Sequence, residues 1–129
     1  MRSKFEERVA RTLKKLKIPF NYESTKLKFT QPEKKRVYKP DFELPETGIF
    51  VECKGRLTAD DRRKLEWVKA QHPDVCIVLL FQKADNAIRK GSKTTYGDWA
   101  TKAGFDWSDW DDEGLKQEWI IKRENNNNS

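Results

Sequence analysis

The stretch Lys39-Pro40-Asp41-Phe42, followed by Ile49-Phe50-Val51-Glu52-Cys53-Lys54-Gly55, decides how the chain is read. It predicts two short strands joined by a turn at Leu44-Pro45-Glu46-Thr47-Gly48. Successive strand side chains point to opposite faces, so Glu52 and Lys54 share one face while Ile49, Val51 and Cys53 form a buried row on the other. Pairing about the turn brings Asp41 close to Glu52. Two carboxylates and an ammonium on one small patch are costly unless something binds between them. A divalent metal with oxygen ligands meets that need and points to phosphodiester hydrolysis.

The bulk properties agree with such a role. A length of 129 residues suits a single domain with a modest core. Hydrophobic residues are 36% and charged residues 37%, a thin apolar share that burial against a second copy would relieve. The net charge of +6 and sequence pI near 9.3 suggest a polyanionic partner, with a merely soluble basic protein as the plainer alternative. The charge is uneven. Residues 1–40 carry 13 Lys/Arg against 4 Asp/Glu, a local net of +9. Residues 105–118 carry six acids and one lysine, a local net of −5, so the front half is the expected nucleic-acid face.

Two cysteines make no disulfide framework; Cys53 and Cys76 read as buried thiols in a reducing compartment. No apolar run approaches the roughly 20 residues a membrane helix needs, and the start has no signal-peptide core, so a cytoplasmic location with no membrane partner is expected. One histidine and two cysteines leave little material for a zinc site, a Ser-His-Asp triad or a histidine-metal nuclease.

In chain order, Ser3 to about Lys17 reads as a helix, with Phe5, Val9, Leu13 and Leu16 at helical spacing and Ser3 as N-cap. Glu6 then has two readings: partner of Ser3 in a capping box, or a site residue. Pro19 closes the segment. Residues 20–30 alternate as a strand, and Gln31 to Arg36 reads as a loop with the basic run Lys34-Lys35-Arg36. Thr58 caps a helix to about Gln71, with Asp60 and Asp61 as helix-start charges and Arg62, Arg63, Lys64 and Lys69 as a basic outer face. His72 beside Pro73 reads as structural. Val75 to Phe81 is a central strand buried on both faces. Lys83 to Thr94, with Arg89, Lys90 and Lys93, is a polar loop open to phosphates; Thr95 or Thr94 starts a short helix ended by Gly104. Trp107, Trp110 and Trp119 lie among acids that repel phosphate, so packing is favoured over base stacking. Glu118 to Lys122 reads as an edge strand, and residues 124–129 as a disordered low-complexity tail behind a single domain over 1–123.

Pro40-Asp41 with Glu52-x-Lys54 resembles the signature of the PD-(D/E)XK nuclease superfamily. The flanks sharpen this: Pro40-Asp41-Phe42, Leu44-Pro45, Gly48-Ile49-Phe50-Val51-Glu52, Lys54-Gly55, Asp60-Asp61-Arg62-Arg63-Lys64, Gln71-His72-Pro73, Lys90-Gly91-Ser92, Tyr96-Gly97 and Glu118-Trp119-Ile120 resemble the phage endonuclease I family, which resolves Holliday junctions. The order holds from Ser3 to about Lys122.

The resemblance implies an α/β (α+β) restriction-endonuclease-like core: a central mixed β-sheet flanked by helices. It implies catalytic Glu6, Asp41, Glu52 and Lys54. Asp41, Glu52 and the Cys53 backbone carbonyl would hold Mg²⁺ or Mn²⁺, with Glu6 helping to hold a second ion. It also implies branched DNA as partner and a domain-swapped homodimer, in which the strand around residues 24–31 bridges to the other subunit and Glu6 completes a composite active site. Phosphate contacts are assigned to Lys34, Lys35, Arg36, Lys39, Arg62, Lys64, Lys90 and Lys93.

One detail departs from the family pattern. Asp41 and Glu52 stand eleven positions apart, one more than that pattern, and a one-residue slip of register would move Glu52 to the wrong face. The competing readings are a repair or restriction-like endonuclease acting on duplex or mismatched DNA, and a non-catalytic DNA-binding module.

Overall fold

In a computed structural model, which describes residues 1–31 and 34–122, the chain runs α1 (Lys4–Lys15), β1 (Asn21–Tyr22), β2 (Leu27–Gln31), β3 (Lys34–Tyr38), β4 (Phe42–Leu44), β5 (Ile49–Lys54), α2 (Ala59–Gln71), β6 (Cys76–Phe81), α3 (Tyr96–Ala103), β7 (Trp107–Asp109) and α4 (Gln117–Ile120). One sheet has the order β1-β4-β5-β6-β7. Its first three strands are antiparallel, and β5, β6 and β7 are parallel, so the expected mixed α/β (α+β) sheet is present. Parallel neighbours need a crossover, and α2 supplies it between β5 and β6.

The motif hairpin forms in the register that the buried row demands. Phe42 pairs with Val51 and Leu44 with Ile49, so Asp41 falls beside Glu52. The eleven-residue spacing is absorbed at Pro45–Gly48, where the Thr47 and Gly48 N–H groups both donate to the Leu44 carbonyl. Gly48 sits at a φ of +74°, which a residue with a Cβ adopts only at a cost. No slip occurs.

Each face of the sheet has its own core. On one, α1 sets Phe5, Val9 and Leu13 against Phe42, Val51, Val78 and Leu80, with Trp119 of α4 beneath. On the other, α2 and α3 bury Leu65, Val68 and Ala100 against Ile77, Leu79 and Phe81. β6 thus alternates its side chains between two cores, as a central strand must. The caps follow the sequence: Thr58 with Asp61 and Thr95 with Asp98 form capping boxes, and Gly104 ends α3 in the left-handed conformation at φ +87°. Leu16 falls on the helix end and is exposed instead of joining the stripe.

Four readings need correction. Residues 20–30 are two strands, because Glu23 turns the chain at a φ of +49°. β1 then joins the main sheet and β2 pairs with β3 of the same chain. The basic run Lys34-Lys35-Arg36, expected in a loop, lies in β3; Pro32 and Glu33 are outside the described residues, as is the tail at 124–129. Glu118 to Lys122 is not an edge strand. A helical turn lets the adjacent Trp119 and Ile120 both point inward, which a strand forbids, and the Trp119 indole N–H donates to Asp106 at 2.7 Å. Cys76 is exposed, because β6 starts at the rim of the sheet. Among the described residues no helix is long and apolar enough to cross a membrane.

Gly97, near the start of α3, faces the Trp107 ring, and a Cβ there would lie 2.6 Å from two indole carbons. The ring cannot swing freely, since its N–H donates to Thr101 at 2.8 Å. Gly97→Ala therefore loses about 1–3 kcal/mol to overpacking, more than the ~1 kcal/mol that alanine gains over glycine in a helix. Urea unfolding measures the difference, and an unchanged or higher midpoint would contradict the packing.

Candidate active site

A cleft of about 400 Å³ opens where the first turn of α1, the bend before β4 and the end of β5 meet. It is lined by Glu6, Asp41, Glu52, Cys53 and Lys54, with Arg2, Glu23, Tyr38, Lys39 and Lys64 around them. All four residues expected to be catalytic are thus brought together within one chain. Glu6, Asp41 and Glu52 are each less than a tenth exposed.

Backbone geometry holds each acid. Asp41 lies in the bend just ahead of β4, and its Oδ2 accepts the Cys53 N–H at 2.8 Å. Its carboxylate is thereby tied to the strand that carries Glu52. Glu52 and Lys54, two apart on β5, face the same way, and Lys54 Nζ lies 3.3 Å from Glu52 Oε2. Glu52 Oε1 accepts the Tyr38 hydroxyl at 2.6 Å. On its other side Lys54 meets Asp61 Oδ1 at 3.4 Å.

Glu6 reconciles its two readings. Ser3 Oγ caps α1 by accepting the Glu6 N–H at 3.0 Å. The Glu6 carboxylate does not return to the Ser3 backbone to close the box. It takes the Ser3 hydroxyl at 3.0 Å and the Tyr22 hydroxyl, and stays in the cleft.

The electrostatics are unbalanced. Burial, the Glu52 charge and then Glu6 push the Asp41 carboxyl up to about 8, against a single opposing N–H from Cys53 and the more distant Lys54. Burial also raises Glu52, but Lys54 and Tyr38 both favour its anion. Asp41, with no cation in contact, is therefore the member of the pair more strongly pushed toward its protonated form. Burial works against the Lys54 charge, yet Glu52 and Asp61 hold its pKa above the ordinary lysine value, so it stays an ammonium. Burial and the surrounding acids keep the Cys53 thiol neutral.

The donor set is oxygen-rich and acidic, which suits a hard divalent cation. Among the described residues, however, no three Asp, Glu, His or Cys side chains already converge as a closed metal cage. Most of the carboxylate oxygens are held by hydroxyls, the Cys53 N–H or Lys54, which accounts for donors that line the cleft without closing on one point.

The predicted phosphate contacts divide. Lys39 and Lys64 border the cleft. Lys34, Lys35 and Arg36 lie on β3, where Lys35 and Arg36 border a second groove and Arg36 covers the Phe29 ring and bonds Gln31. Lys90 borders a further groove with Arg56 and Arg89, and Lys93 is exposed on the same loop. Arg62 has another use: its Nη1 donates to the Leu57 and Ile88 carbonyls and braces the loop against α2. His72 is structural as expected, with Nε2 2.6 Å from the Lys28 carbonyl. Tyr38, Asp61 and Tyr22, which bond the acids and lysine of the site, were not singled out for it from the sequence. Tyr38 stands in the alternation leading into Pro40, but nothing local marks a tyrosine as the partner of an acid fourteen residues away.

Fold and site together define an α/β protein with an acidic, lysine-bearing cleft set in a basic rim. The chain belongs to the phage endonuclease I family, whose model matches residues 1–128. It is 40% identical over 108 residues to "Endodeoxyribonuclease 1" of Enterobacteria phage T3, spanning 84% of this chain and 70% of that protein. It is 38% identical over 119 residues to "Endonuclease I" of Escherichia phage T7, spanning 92% and 77% respectively.

The Asp41 shift has a stability consequence whose sign is fixed. A carboxyl with an ordinary value of 3.8 and a folded value of about 8 binds more proton folded than unfolded between those limits. Metal-free stability therefore falls as pH rises from about 4 to about 8. Asp41→Asn, which cannot ionise, shows a smaller fall in melting temperature over the same range; parallel pH profiles for the two proteins would refute the assignment.

Proposed function

We propose that this protein is a divalent-metal-dependent endodeoxyribonuclease that resolves four-way junctions and other branched DNA by phosphodiester hydrolysis. The observation that carries the reading is the convergence of Glu6, Asp41, Glu52 and Lys54 on one basic-rimmed cleft. Membership of the phage endonuclease I family supports it, and supports the branched substrate through the resemblance described above.

The residues present fit Mg²⁺ or Mn²⁺, one or two per site. Asp41 and Glu52, with the Cys53 carbonyl, would hold the first ion, and Glu6 would help to hold a second. A bound ion of this kind supplies an acidic water and neutralises charge on the phosphate. The chain's own residues do the rest. Lys54, kept protonated by Glu52 and Asp61, offers a compact point charge to the non-bridging oxygens as negative charge builds on them. Asp41, whose carboxyl pKa burial and Glu52 push up, would serve as an anionic ligand when such an ion is bound. His72 is committed to the Lys28 carbonyl, so no histidine serves as base.

We also propose a homodimer whose two clefts nick two strands, with the strand around residues 24–31 bridging the copies so that Glu6 completes the partner's site. The turn at Glu23, just ahead of that strand, is compatible with such an exchange. The proposed compartment is the host cytoplasm.

Two experiments test this. A labelled four-way junction and a matched linear duplex are incubated with Mg²⁺ or with EDTA. Paired nicks on the junction alone, lost in EDTA and in Glu52→Gln, are expected; equal cutting of both substrates would remove the junction preference, and binding with no cutting in any metal would leave a binding module. Separately, Lys39→Ala with Lys64→Ala makes the log–log dependence of junction affinity on salt shallower by about two, at ~0.9 per phosphate contact. An unchanged slope would take these lysines off the DNA path.

A further inference from the structure

Tyr38 is buried, its hydroxyl donates to Glu52 Oε1 at 2.6 Å, and it ends β3, an element outside the main sheet. The opposite oxygen of Glu52 faces Lys54. The Glu52 carboxylate is therefore gripped from both sides, and its rotation about the terminal bond is set by Tyr38 and Lys54 together. The Lys64 ammonium lies 5.7 Å from the centre of the Tyr38 ring, so the ring is held between α2 and the cleft. β3 carries Lys34 and Lys35 on its exposed positions, and the neighbouring Lys39 borders the cleft.

We infer that Tyr38 is a positioning residue for Glu52, and that through it the basic β2–β3 hairpin is mechanically coupled to the metal-holding carboxylate. The inference rests on the nuclease reading above and deepens it. Partners that orient a ligating carboxylate commonly change metal affinity or activity by about 10–100-fold when removed. No such hydroxyl is needed for packing: Tyr38 is buried beside Leu27 and Phe29, and phenylalanine would fill the same space. Coupling also runs both ways, so phosphate drawn onto the hairpin and metal held by Glu52 would favour each other.

The test is Tyr38→Phe, which removes one oxygen and keeps the ring. Its fold is checked by circular dichroism, and its junction affinity is measured in EDTA. Mn²⁺ and Mg²⁺ binding are then measured by calorimetry without DNA, beside wild type and Glu52→Gln. The expected result is a folded protein with unchanged metal-free DNA affinity and a metal dissociation constant about 10–100-fold weaker. Cleavage at low Mg²⁺ falls by a similar factor and recovers as Mg²⁺ is raised.

Wild-type metal affinity in Tyr38→Phe would overturn the inference while leaving the nuclease intact. A rate loss that no Mg²⁺ concentration restores, with metal binding unchanged, would overturn it too. Wild type that binds neither metal would overturn the metal-dependent function itself, and the inference with it. Should Tyr38→Phe fail to fold, Lys64→Ala, which frees the ring from α2, is compared with wild type for DNA-free metal binding alone, because Lys64 also borders the cleft; a smaller loss is expected, and equal metal affinity would be the contrary result.

Discussion

The hydrogen bond from the Cys53 N–H to Asp41 Oδ2 is the constraint on which the site depends. It joins the bend before β4 to the strand that carries Glu52 and Lys54, and so converts hairpin register into carboxylate geometry. Everything that fixes the register protects it: the Gly48 turn, the Phe42–Val51 pair, and the two cores that clamp β5 and β6. A slip of one residue would send Glu52 into the α1 core, so packing and function impose the same register.

The site works against the stability of its own fold. Three acids less than a tenth exposed share one cleft, and among the described residues only the half-buried Lys54 forms an ion pair with any of them. The structure contains the strain locally. Glu6 is satisfied by two hydroxyls, Glu52 by a hydroxyl and an ammonium, and Asp41 by one N–H, with burial and Glu52 pushing its carboxyl pKa up. Among the described residues no buried side-chain nitrogen or oxygen lacks a hydrogen-bond partner. The acidic cleft is thus fully bonded yet short of positive charge.

The fold was legible where one physical signal dominated. The alternation of Ile49, Val51 and Cys53 marks the face of β5 turned to α1, the helical spacing of Phe5, Val9 and Leu13 the buried face of α1, and the apolar run ending at Phe81 a strand set between two cores. Legibility failed where tertiary contacts decide. Lys34-Lys35-Arg36 looks like a loop, but β2 provides a pairing partner that charge pattern does not reveal. Trp119 and Ile120 turn inward together only because the core beneath α1 has room for both. At the site, Asp41, Glu52 and Lys54 follow from strand alternation and hairpin pairing. Glu6 needed the family resemblance, since a capping box explains it equally well in sequence. Tyr38 and Asp61 were out of reach, because their partners are set by how β3 and α2 cross the end of β5.

In the proposed function a divalent cation would complete the charge-deficient Asp41–Glu52 pair. Calorimetric titration of Mg²⁺ into the DNA-free protein, in buffers of differing ionisation enthalpy, tests it most directly. With Asp41 raised to about 8, binding at pH 7 should release about one proton per protein, and the release should vanish above pH 9 and in Asp41→Asn. Binding with no proton release at pH 7, or release unchanged in Asp41→Asn, would contradict the account.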